Sequence, residues 1–335
     1  MSTLKRCTII ILIPVMLTGC FTSKSFVNFE VLEPALITYP QHVSNTGFLN
    51  RAPVVRNKYS NVNSLATDSH TVRTVDTIVS NNIRKGFYEA SQLTETGYMD
   101  EIPFIEARRN DTIGQTDVFD FNKRERLLDV YSLDALIALE YYHLQLTRSY
   151  TYFDFFSGEY LQEFRLTMET LWRLYVNDSI APYDEYLGID TLYYYNRSNM
   201  PREEYISVTS VIRAGSADVG FRYGIRHIPL WMEVSRVVFR GGERELLQAA
   251  KYTDRGEWEK AVEIWKVMTE DTSDRIAARA FHNLAIYHEL QDDILKAHNY
   301  ADRACGLWKN RYIKNYKQQL DQRLADQEIL LKQIR

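Results

Sequence analysis

Between Glu163 and Leu174 the chain alternates: Phe164, Leu166, Met168, Trp172 and Leu174 fall on one parity, and Glu163, Arg165, Thr167, Glu169 and Arg173 on the other. Successive strand residues face opposite sides, so a period of two over a dozen residues dictates a β-strand with one apolar and one wet face. Such a strand needs partners. The turn residues Ser157 and Gly158 predict a hairpin before it, and the turn around Pro182 leads to a further strand near Leu187 to Tyr195. An antiparallel meander follows from these spacings.

Upstream, the segment from Val43 to Arg51 reads as a first strand. The run Ala135, Leu136, Ile137, Ala138, Leu139, Glu140 reads as a short buried one. Val72, Val75, Val79, Ile83 and Phe87 recur at three and four residues and predict an amphipathic helix from Ser69. Further helices are expected over Lys123 to Tyr131 and from Pro201, at a first turn, to Tyr223. Strands and helices in this order predict an α/β layered domain over residues 31–225 with a partly antiparallel sheet.

From residue 226 to 335 the expected content is all-α, with Pro229 and Trp231 opening the first packing helix. Gly256, Trp258, Ala261, Trp265 and Met268 carry a glycine, aromatic, small, large pattern; Leu284, Ala285, Ile294, Ala297, Ala301 and Ala304 repeat it. Ala261 and Ala297 lie 36 residues apart. These positions resemble tetratricopeptide repeats, in which small residues stand where helix backbones approach closest. A polar helix from Lys309 to Arg335, with Tyr312, Tyr316, Leu320, Leu324 and Leu331 on one side, would cap the stack. The fold class expected is therefore α+β: an α/β layered N-terminal domain followed by a tetratricopeptide-like helical domain.

The first 20 residues carry Lys5 and Arg6, an apolar run from Ile9 to Leu17, and then Thr18, Gly19 and Cys20. A basic start, a short apolar stretch and small residues describe a secretory signal too short to span a bilayer. The tetrapeptide LTGC resembles the lipobox of bacterial lipoproteins. That resemblance implies cleavage between Gly19 and Cys20, acylation of Cys20 and a lasting membrane anchor. Residues 1–19 would then be the signal and 20–30 a tether; no Asp adjoins Cys20, which favours the periplasmic face of the outer membrane. Cys305 remains as the one thiol of the mature body, so no internal disulfide is available, and its helical setting favours a structural thiol.

The net charge of −4 and pI near 6.0 provide no basic field for nucleic acid. His282 and His288 stand six residues apart on different helix faces, which does not make a metal site, and His143 has no identifiable partner acid or nucleophile. Tyr193, Tyr194 and Tyr195 alternate faces in a strand and cannot form one flat platform. Four short triplets beginning at Asp76, Asp111, Asp178 and Asp190 resemble the O-glycosylation acceptors of Bacteroidota. No catalytic residue, cofactor or metal is expected.

The stretches ALITYPQHVSNTGFLNR and RERLLDVYSLDALIALEYY, with the helix between them, resemble the opening of curli-secretion-type lipoproteins and of the N-terminal domain of the Tol-system β-propeller protein. With PALITYP, FLNR, IPLWMEVSRVVF and EWEKAVEIW…AFHNLAIYHEL, the chain resembles uncharacterised tetratricopeptide-containing lipoproteins of Bacteroidota. The family resemblance carries no activity over; the lipobox and the repeats lead to the expectation of a membrane-tethered periplasmic scaffold, not an enzyme, that holds a protein partner on the concave face of its helical repeats. The alternative is a component of an envelope secretion or transport assembly, for which self-association would be the mark; a hydrolase ranks last.

Overall fold

The computed structural model describes residues 24–53, 59–60, 69–93, 102–108, 117–148, 151–177, 179–199 and 207–334. Gly19, Cys20, the signal segment, Pro201 and the triplet at Asp111 lie outside the described residues. In chain order the elements are β1 (Lys24–Glu33), β2 (Thr46–Asn50), β3 (Tyr59–Ser60), α1 (Ser69–Ser91), β4 (Phe104–Glu106), α2 (Phe121–Tyr131), β5 (Ala135–Arg148), β6 (Tyr152–Asp154), β7 (Glu159–Val176), β8 (Asp184–Ser198), α3 (Val208–Gly224), β9 (Leu230–Phe239), α4 (Arg244–Thr253), α5 (Trp258–Met268), α6 (Asp274–Leu290), α7 (Ile294–Leu307) and α8 (Arg311–Gln333). The protein is α+β, with a layered sheet unit and a helical unit. Residues 31–232 with 326–335 make up the first, and 24–30 with 233–325 the second.

In the sheet unit, β2 lies between β4 and β5 and runs parallel to both, Phe48 pairing with Phe104 on one side and Ile137 on the other. β5, β7 and β8 continue as an antiparallel meander. Helix α1 covers one face through Val75, Val79, Ile83 and Phe87, and α3 joins it through Val211, Ile212, Val219 and Tyr223. The opposite face carries a smaller core in which Leu128 of α2 meets Leu49, Leu136, Ala138 and Tyr175. The two covering helices on the first face approach through glycines. A Cβ at Gly86 would lie 1.8 Å from the Ala217 carbonyl oxygen, and one at Gly220 would lie 1.9 Å from that of Ile83.

The wet face expected along β7 extends only over its first half. Arg173 and Tyr175 are buried because the second half of β7 has cores on both faces. Opposite it, β5 shifts register between Leu139 and Tyr141. That irregularity brackets Glu140, whose carboxylate, fully enclosed, accepts two bonds from Arg51 Nη1 at 2.8 and 2.9 Å and one from Tyr175 Oη at 2.6 Å. Bulges commonly re-aim a side chain in this way.

Two sequence expectations are corrected. Pro229 and Trp231 open a strand, β9, not a helix: Leu230–Phe239 is rich in β-branched residues and pairs with β1 in a separate two-stranded sheet. The segment read as a tether to residue 30 is already strand β1 from Lys24 onward. Helix α3 is described from Val208, where Ser207 caps it by accepting from the Ser210 amide at 3.1 Å; Pro201, at which a first turn is expected, lies outside the described residues.

Candidate functional site

The residues singled out for the repeat pattern fall in the helical unit, where α4–α5 and α6–α7 are successive hairpins. The turn after α4 closes with the Glu257 amide donating to the Tyr252 carbonyl at 2.9 Å and the Gly256 amide to that of Thr253 at 3.0 Å. The turn after α6 closes with the Asp293 amide donating to His288 and the Asp292 amide to Glu289, both at 2.9 Å. Every donor and acceptor in the second turn stands 36 residues after its counterpart in the first. Gly256 and Asp292 share the left-handed backbone such a helix end requires, with φ of 73° and 56°. Aspartate is among the few non-glycine residues that adopt it readily.

The likeness extends into the second helices. Lys260 Nζ lies 2.5 Å from Glu257 Oε2, and 36 residues on Lys296 Nζ lies 2.6 Å from Asp293 Oδ2. The lysine hydrogen bond holds each carboxyl below its ordinary range. Inside, Ala261 and Ala297 have no exposed surface, and Trp265 and Ala301, Met268 and Ala304 fill the next matched levels. At these levels the second hairpin carries a small residue where the first carries a bulky one. Leu284 and Ala285 of α6 sit in the same core, with Leu246, Ala249, Tyr316 and Leu320. Trp258 packs at a ring distance of 6.4 Å on Trp265. On the outer side Val267 and Leu295 remain exposed.

A buried charge network lies under this stack. Arg236 Nε and Nη2 donate to the two oxygens of Glu289 at 2.8 and 2.7 Å, and Tyr316 Oη donates to Oε2 at 2.9 Å. Arg323 stands 3.9 Å away and reaches Asp292 at 3.3 Å, so the network ties α6 and α8 to the second turn. The His282 ring donates from Nε2 to the Val237 carbonyl at 2.7 Å, while His288 stacks on Tyr300, so the structure does not bring the two histidines together. Among the described residues no group of three or more His, Cys, Asp or Glu could hold a metal ion. His143 sits opposite Glu169 in the β5–β7 ladder. Along β8, Tyr194 packs on the core while Tyr193 and Tyr195 are exposed. Cys305 is half-buried, and that burial pushes its thiol up.

Burial leaves two imidazoles neutral. Enclosure lowers His282 to about 4, and enclosure with the nearby Arg226 guanidinium lowers His227, beside Tyr39 Oη at 2.6 Å, to about 3. Below the ordinary value of 6.5 the unfolded chain binds these protons and the folded chain does not. Stability is therefore present above that value and is lost as pH falls from it toward the folded values, at about 1.4 kcal/mol per pH unit for each ring. Urea unfolding at pH 7, 6 and 5 should show this loss in each unit. A His282→Gln chain should lose most of the slope in the helical unit; an unchanged slope would remove His282 as its cause.

A family defined by a domain of unknown function (DUF8603) matches residues 46–239, and a second domain of unknown function (DUF6340) matches 247–322. No curated protein matches the chain.

Proposed function

The chain belongs to the DUF8603 family, and for it we propose the role of a lipid-anchored envelope protein that holds a protein partner on a tetratricopeptide-type stack. The observation that carries the reading is the pair of helical hairpins whose turn bonds, left-handed residues and lysine–carboxylate pairs repeat at an offset of 36 residues. Stacked helical hairpins make extended binding surfaces without any need for catalytic groups. The LTGC tetrapeptide after an apolar run supports export and acylation of Cys20, and the whole pattern fits tetratricopeptide lipoproteins of Bacteroidota at the outer membrane. Among the described residues no helix is long and apolar enough to cross a membrane.

Two measurements test this. Replacing Cys20 with alanine should abolish incorporation of a palmitate analogue and move the protein from the membrane to the soluble fraction; a variant that stays membrane-bound refutes the anchor. A photo-crosslinker placed at Val267 or Leu295 in the lipidated chain should capture one defined protein, whereas one at Val130 or Ile180 in the sheet unit should not. Capture from the sheet positions alone would move the function to that unit. The order β2, β3, α1, β4, α2, β5 supports the second reading, a component of a secretion assembly, and self-crosslinks of fixed stoichiometry would favour it.

A further inference from the structure

In an open α/β sheet, a crevice forms beyond the carboxyl ends of neighbouring parallel strands whose connections leave toward opposite faces, and ligands bind there. β2 and β4 are such a pair. Between β2 and β4 the chain passes through the two-residue strand β3 and then α1, on one face of the sheet; between β4 and β5 it passes through α2, on the other. At that place lies an open cleft of about 480 Å³. Its charged lining among the described residues is entirely cationic: Arg51 from just beyond β2, Arg108 from just beyond β4, and Lys123 and Arg126 from α2. Phe119 and Leu127 form its apolar wall.

Each cation is held differently. The Arg51 side chain is 9% exposed, and Glu140 engages only its Nη1, while its guanidinium lies 4.1 Å over the Phe119 ring. Among the described residues its Nε and Nη2 bond no acceptor, which leaves three N–H donors for a ligand. Arg108 is fixed by Asp76 at 2.9 Å and by the Ala52 carbonyl at 2.9 Å. Lys123 and Arg126 are exposed and make no ion pair among the described residues, so the charge left uncompensated by Glu140 and Asp76 is theirs.

We propose that this cleft binds a small-molecule phosphate monoester whose flat apolar group lies against Phe119. A dianion suits several converging cations better than a single carboxylate does, and the pre-oriented Arg51 fork matches the spacing of phosphate oxygens. The buried Glu140 keeps that fork aimed.

The test is calorimetric titration of the full chain at low salt with phenyl phosphate, with inorganic phosphate and phenol as separate arms. Phenyl phosphate should bind saturably, about tenfold more tightly than inorganic phosphate, and phenol should not bind. The exposed pair Lys123→Gln/Arg126→Gln should weaken phenyl phosphate by about tenfold or more without changing the melting temperature, and Lys260→Gln/Lys296→Gln in the helical unit should leave it unchanged. No saturable binding below about 10 mM, or equal loss in both double variants, overturns the proposal. Binding to vesicles of phosphatidic acid without binding of phenyl phosphate overturns it as well, in favour of a lipid surface.

Discussion

A Gly220→Leu chain is expected to lose about 3 kcal/mol or more of stability in the sheet unit. The leucine Cβ would begin 1.9 Å from the Ile83 carbonyl oxygen, and the reciprocal contact at Gly86 leaves α1 no room to slide aside. Both obstacles are backbone, so relief requires separating the two helices. Separation would in turn uncover Phe87, Trp172 and Tyr223, whose rings lie together, the last two stacked at 4.0 Å. Urea unfolding followed by tryptophan fluorescence measures the loss. Gly306→Leu is the control, since nothing lies within 4 Å of a Cβ there and a helical leucine is favoured over glycine by about 0.5–1 kcal/mol. A Gly220→Leu midpoint equal to that of the parent chain would mean that the helices do not meet at these glycines.

Removing the carboxylate of Glu289 should cost the helical unit about 3–5 kcal/mol, because the nearly enclosed Arg236 would lose both of its bonds to that carboxylate and the nearly enclosed Arg323 one of its neighbouring negative charges. Tyr316, whose hydroxyl burial and the Glu289 charge hold well above the tyrosine range, would lose its acceptor too. Glu289→Ala tests the charge and the shape together, and Glu289→Gln tests the charge alone. The combination Glu289→Leu with Arg236→Met should recover most of the loss, since replacing both members of a buried pair by apolar groups is often near neutral. If the double variant is as unstable as Glu289→Ala, the network matters through its shape and not through unpaired charge.

The elements that could be read from the sequence are those with a sustained period. β7 announced itself by alternation, α1 by its valines and isoleucine, and the second hairpin by alanines at a fixed offset from the first. β4 escaped because three residues, Phe104–Glu106, have no measurable period. β9 was read as helix because a proline before apolar residues also opens helices, and its pairing with β1, some two hundred residues earlier, leaves no local trace. The same limit applies to the cationic cleft. Arg51, Arg108, Lys123 and Arg126 are unremarkable where they stand in the chain, and only the crossing of two connections over β2 makes them neighbours. Glu140 is the one member with a local oddity, an acid ending an apolar run, and the register shift that turns it inward depends on β7.

The position of β2 also sets a clock. Its first residue, Thr46, pairs with Ala135, 89 residues later. A ribosome adds about 5–20 residues per second, so β2 waits about 5–20 s for β5 to exist, with only the three-residue β4 available to it earlier. The meander of β5, β7 and β8 is made from neighbouring segments and can close as soon as it emerges, whereas parallel pairing must first meet the entropy of a long loop. Within the seven-stranded sheet β2 is thus the strand made first, and it completes its pairing only after β5 exists. Until it docks, Phe48 and Leu49 are the sticky part of the nascent chain, and a binder that shields apolar segments should act before residue 135 is made.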